Sequence, residues 1–233
     1  TVHFVMEFDR PIKNFGVMVD GPVKGKSDAS RANDITDLTV ANPEDIVAFV
    51  EFDTSKNQIV QTRTGISYVS IDNAGLNLEE EIAKPFGWSF DKVRRNQERT
   101  WNELFERILI TTKNRLEKTR FYSNMYRALV SRNIFSDVDG RWVDAEERIQ
   151  QFANPNDVAL GCDAFWNTFW NLNQFWNLVT PEWSSKWVKS QLAMYDASGW
   201  LAKGPAGMEY IPVMVAEHEI PLIVGTYQMG IRD

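Results

Sequence analysis

The chain has 233 residues, 43% of them hydrophobic, with 9 Trp and 14 Phe, enough apolar material for one large domain or two smaller ones. A net charge of −7 and a pI near 5.0 argue against a polyanion such as nucleic acid as a partner. No run of ~18 apolar residues is present, so no membrane span is expected, and the single Cys162 excludes an internal disulfide framework while leaving the compartment open.

In chain order, strands come first. Val2, Phe4, Met6 and Phe8 alternate with His3, Val5, Glu7 and Asp9, the period of a half-buried strand, which Pro11 ends. Residues 46–52 repeat the alternation. A turn over residues 55–57 then leads to two further expected strands, at 58–63 and 65–71. Gly, Ser, Asp and Asn residues between Gly21 and Asp37 mark loops. This pattern predicts an antiparallel sandwich, or one edge of it.

The period changes at about Pro85. Asp91 is the expected cap of a helix carrying Val93, Trp101, Leu104, Phe105 and Ile108. A second helix is built on Phe121, Tyr122, Met125, Tyr126, Leu129 and Val130, and a third on Phe165, Trp166, Phe169, Leu172, Trp176 and Val179. A fourth covers residues 183–195, with Gly199 beyond its end as helix C-termini prefer. The last segment, 211–231, predicts a short helix entered from a loop. Some five or six helices fit after Pro85 at ordinary lengths. The run Glu79-Glu80-Glu81 is expected to be a solvated face.

General searches for chemistry return little. There is no dinucleotide fingerprint, phosphate loop, HExxH or CxxC pair. His3 and His218 have no metal-ligand spacing, and no nucleophile elbow supports a Ser-His-Asp triad. Asp137-Val138-Asp139-Gly140 matches a calcium loop poorly and a tight turn well.

Two features stand out. The run 165–177 places Trp166, Trp170 and Asn173 on one helical face and Asn167, Asn171 and Gln174 on the next. Amides for hydroxyl groups and indoles for C–H surfaces suit a sugar site; a core helix with Asn at its rim fits the same pattern. The second is Glu209, a lone carboxyl in a Gly/Pro-rich loop that begins at Trp200. Burial there would raise its pKa and make it a general acid, while a helix N-cap role is the competing reading.

In order, these segments resemble glycoside hydrolase family 92 across essentially the whole chain. The resemblance rests on Phe4-Val5-Met6-Glu7-Phe8-Asp9-Arg10-Pro11, Gly65-Ile66-Ser67-Tyr68, residues 74–82, Trp101-Asn102-Glu103-Leu104 and Tyr122-Ser123-Asn124-Met125. It continues through Phe135-Ser136-Asp137-Val138-Asp139-Gly140-Arg141-Trp142, Gly199-Trp200-Leu201, Met208-Glu209-Tyr210, Glu217-His218 and Gly230-Ile231. It implies an α+β multidomain chain: the end of an N-terminal β-sandwich over 1–85, a helical linker over 86–116, and the first half of an (α/α)6 barrel over 117–233. It also implies inverting hydrolysis of terminal α-mannosides, with Ca²⁺ in the sugar subsite and a periplasmic, cell-surface or secreted location. Glu209 falls on the family's general acid; Trp166, Asn167, Trp170 and Trp200 fall on substrate-binding positions. Asn167 replaces the family's Asp and Trp170 its Arg, so mannose itself is in question.

The base and calcium ligands are expected beyond Asp233, on the remainder of the same polypeptide. With Thr1 at the start and apolar runs immediately before Asp233, the chain is expected to be an internal piece. A non-catalytic carbohydrate-binding or surface-assembly protein on the same scaffold is the alternative.

Overall fold

The computed structural model describes residues 1–19, 46–161, 165, 168–201, 204–206, 209–210 and 218–232. Its contacts divide the chain into two units, Met6–Thr64 and the remainder, and each is described separately. The division crosses two paired strands, β1 (His3–Phe8) and β4 (Thr62–Ser67). The alternation in β1 is real, but its apolar side is open: Phe4 is 62% exposed and Met6 45%.

In the smaller unit, β2 (Asn14–Val19) runs antiparallel to β3 (Ile46–Glu51), with Asn14 opposite Glu51 and Val19 opposite Ile46. Phe8 and Phe52 meet with ring centroids 5.0 Å apart. Arg10 donates to the carbonyls of Asn57 and Ile59, tying down the 55–59 turn. The strand expected at 58–63 is absent: side-chain-capped turns at Asp53 and Asn57 occupy its start, and only Thr62 and Arg63 join β4.

Helical structure in the larger unit starts at Ile71, well before Pro85, with α1 (Ile71–Leu78). Ser70 caps it by accepting from the Asn73 N–H at 3.1 Å. A single π-turn (Glu79–Ala83) and a last short turn, α2 (Lys84–Phe86), follow, and Gly87 at φ 59 ends the run. Glu79, Glu80 and Glu81 are exposed, as the charge run implied. Helix α3 (Phe90–Phe105) is capped by Ser89 instead of Asp91, which lies in the first turn. Helix α4 (Arg115–Leu129) is capped by Asn114, whose Oδ1 accepts from the Leu116 and Glu117 N–H groups.

Short strands follow: β5 (Asn133–Ile134) pairs with β8 (Leu160–Gly161), and β6 (Arg141–Val143) with β7 (Ile149–Gln151). Asp137 to Gly140 forms the tight turn before β6, with Gly140 at φ 83. Helices α5 (Leu172–Val179), α6 (Pro181–Ser198) and α7 (Glu219–Gln228) then pack on one another. Pro181 opens α6, and Gly199 at φ 78 closes it, donating to the Tyr195 carbonyl at 2.7 Å. Met125, Leu129, Trp176 and Val179 form one core between α4 and α5. A second joins Leu160, Phe165, Trp187 and Leu222.

Candidate functional site

The aromatic and amide run is not one helix. Phe165 lies in a turn, Thr168–Trp170 forms a 3₁₀ turn, and Asn171 has φ −156, so α5 begins only at Leu172. Side chains supply the break: the Thr168 hydroxyl donates to the Phe165 carbonyl at 3.2 Å and the Gln174 amide to the Phe169 carbonyl at 2.9 Å. Among the described residues, Trp170 and Asn171 are therefore not continuous with the α5 helix that carries Asn173 and Gln174. Trp166 and Asn167 lie outside the described residues. Trp170 is 71% exposed, packed edge-to-face on Phe169, which in turn stacks on His218 at 4.4 Å.

Two of the amides turn inward. Asn177 accepts from the Thr226 hydroxyl at 3.2 Å and contacts Met229 Sδ, fastening α5 to α7. Asn173 accepts from Arg132 Nη2 at 2.6 Å. The Arg132 guanidinium also lies 4.6 Å from the Trp176 ring centroid and 4.9 Å from that of Trp187. Arg132 itself is buried and sits at φ 68, a left-handed conformation unusual for a residue with a Cβ. Sequence reasoning missed this residue, as it missed the buried Glu219 in the first turn of α7.

Glu209 lies on a two-residue hairpin. Strand β9 (Pro205–Ala206) pairs antiparallel with β10 (Glu209–Tyr210), with Glu209 opposite Ala206. Helix α7 covers Glu219–Gln228. The surroundings of its side chain lie outside the described residues. Trp200, which opens this segment just after Gly199, is 72% exposed.

The carboxylates of the 137–140 turn are engaged by protein groups. Asp137 accepts from Ser67 Oγ and Asn77 Nδ2, both at 2.7 Å, and Asp139 from Asn73 Nδ2 and Arg141 Nε. Burial raises the Asp139 pKa, but the Arg141 backbone N–H and side chain and the Asn73 amide outweigh it and hold the pKa below its usual value. Among the described residues no group of three or more His, Cys, Asp or Glu could hold a metal ion, so they do not fit a calcium site. Nor is any described helix long and apolar enough to cross a membrane.

The larger unit carries a groove of about 620 Å³, within the range of ligand sites. It runs between α3 and the α5–α6 corner, and its walls include Gln97, Thr100, Trp101, Arg132, Trp176 and Trp183.

A mixed chain in which paired strands lead into packed helices is an architecture shared with known α-mannosidases. A family GH92 α-mannosidase from Bacteroides thetaiotaomicron superposes with a TM-score of 0.81 at 22% identity, over 100% of this chain and 30% of that one. A family GH92 inverting mannosidase from the same bacterium gives 0.78 at 20% identity, over 99% and 29%. A secreted glycosidase of Arthroderma benhamiae is 28% identical over 108 residues, 45% of this chain and 14% of that protein. The model of the glycosyl hydrolase family 92 catalytic domain matches residues 73–233. The chain belongs to that family. It spans under a third of the length of each of these three relatives.

Proposed function

We propose that the complete protein is an exo-acting glycoside hydrolase that removes terminal α-mannosyl or closely related residues from a glycan. The observation that carries this reading is the family match over residues 73–233, the stretch that includes Glu209. In the same reading, residues 1–85 close a β-sandwich, 86–116 form a helical linker and 117–233 begin an (α/α)6 barrel. The secreted relative supports an extracytoplasmic location.

Glu209 is the proposed proton donor to the leaving oxygen. Inversion requires a second carboxylate ~6.5–9.5 Å away to activate water on the opposite face of the sugar; that base is assigned to the remainder of the polypeptide. A hairpin held by its own strand pairing suits a proton donor, because the pairing fixes the backbone that carries the carboxyl. Calcium, with its ligands on the remainder of the polypeptide, would supply charge that holds sugar hydroxyls.

The test compares leaving groups. Glu209→Gln should lower kcat/KM on an unactivated α-mannoside by about 10²–10⁴-fold, and far less on a dinitrophenyl mannoside whose aglycone leaves without a proton. Equal losses on both substrates would take the acid role away from Glu209 and make it a sugar-positioning group. The second reading, a carbohydrate-binding protein without turnover, is motivated by Asn167 and by the exposed indole of Trp170. Turnover of the dinitrophenyl substrate by the wild-type protein excludes it.

A further inference from the structure

The groove beside Arg132 has features that packing alone does not require. Its walls come from α3 on one side and from α4's end, α5 and α6 on the other, all within the larger unit. Trp101 and Trp183 keep part of their surface open, and Trp176 forms the floor with 5% exposure. Gln97 and Thr100 stand exposed at the rim.

The inner wall is pre-organised. Arg132 is 5% exposed and strained at φ 68, with its guanidinium fixed by Asn173 and flanked by two indoles. A side chain held in a costly backbone conformation by several independent contacts is the form that binding sites take. The charges around the groove are engaged within the protein. Arg107 pairs with Glu182 at 2.7 Å and donates to the Val179 carbonyl at 2.7 Å. A ligand here needs no net charge. It needs C–H faces for the indoles and hydroxyl groups for the amide and hydroxyl partners at the rim.

We propose that this groove is a carbohydrate-binding site separate from the Glu209 hairpin, taking two or three units of a neutral oligosaccharide. Its ligand class rests on the glycosidase reading. In a glycan-degrading enzyme such a site holds a second part of the same glycan and raises the local concentration of chain ends by avidity.

The experiment uses the complete protein and a thio-linked α-mannotriose, which resists hydrolysis. Calorimetric titration gives the number of equivalents bound. Thr100→Tyr narrows the groove from an exposed position. The Thr100 hydroxyl donates to the Asn96 carbonyl in its own helix, so no tertiary hydrogen bond is lost. The variant is expected to bind one equivalent fewer than wild type while melting at the same temperature. Gln97→Ala, on the same exposed wall, is expected to weaken that equivalent severalfold without removing it. Equal stoichiometry in wild type and Thr100→Tyr overturns the proposal, and so does loss of every equivalent in a normally melting variant when the wild type binds more than one. Hydrolysis of an aryl α-mannoside by the wild-type protein is measured in parallel. Absent turnover with one equivalent lost in the variant would sink the hydrolase reading and leave the groove standing.

Discussion

Single side chains decide the local geometry of the β6–β7 region, and Asp144 is the clearest case. Its carboxylate is 1% exposed and accepts from the Glu146 and Arg148 N–H groups, from Arg148 Nε and from Gln150 Nε2 at 2.8–3.1 Å. Burial pushes its pKa up; the Arg148 N–H, the Gln150 amide, the Glu146 N–H and the Arg148 guanidinium together outweigh that and hold it low. A carboxyl lowered in the folded state gives stability that is present above its unfolded pKa of about 3.9 and is lost as pH falls through the folded value. Asp144→Asn should therefore cost about 1.5–3 kcal/mol at pH 7, the worth of a charge-assisted hydrogen bond, and flatten the decline below about pH 4. Urea unfolding at pH 7 and pH 3 measures both; an unchanged pH dependence in the variant would rule the linkage out. Residues differ in how far the sequence exposes such roles. Asp137 to Gly140 reads as a tight turn because Asp and Gly at that spacing are local turn chemistry. Arg132 could not be read, because its partners Asn173, Trp176 and Trp187 are brought to it by tertiary folding across dozens of residues.

Elements with their own punctuation were legible, and those set by neighbours were not. The end of helix α6 could be placed because Gly199 acts there through a backbone constraint alone, while its start lies at Pro181, two residues before the expected Trp183. The break at Asn171 was hidden: the apolar period continues through it, while amide and hydroxyl side chains divert the backbone into a 3₁₀ turn. The early start of α1 was hidden for a related reason. Asn73 and Asn77 hardly suggest a buried helix face, yet they are the residues that dock α1 onto the 137–140 turn. That docking leaves no room at Gly65 in β4. A Cβ there would sit 2.1 Å from the Ala74 carbonyl oxygen and 2.7 Å from Leu78 Cβ. Because the nearest obstacle is helix backbone, Gly65→Ala must push β4 and α1 apart at a cost of about 1–3 kcal/mol or more. Thermal unfolding of the variant tests this, and a melting temperature equal to wild type would mean the approach is looser than drawn.

At the scale of the whole molecule, the family was legible because short motifs recur in order along the chain. Strands precede the first helix as expected, but helix starts at Ile71, and short strands β5 to β10 interrupt the half expected to be helical. Helical spacing was the wrong ruler for the segment around Trp170. What the fold does instead is leave two large indoles facing water. Trp170 is 71% exposed and Trp200 is 72% exposed. Solvent-facing indoles on a family 92 scaffold contribute little packing energy, so their removal separates binding from folding. If both stack on glycan, Trp170→Ala and Trp200→Ala in the complete protein should each raise KM for a mannan oligosaccharide about 5–30-fold, the equivalent of ~1–2 kcal/mol of lost aromatic contact. Their melting temperatures should stay within a degree or two of wild type, because substitutions at exposed positions usually change stability by less than ~0.5 kcal/mol. Should KM stay put while the melting temperature drops, these tryptophans are packing residues and the substrate contacts must come from elsewhere on the polypeptide.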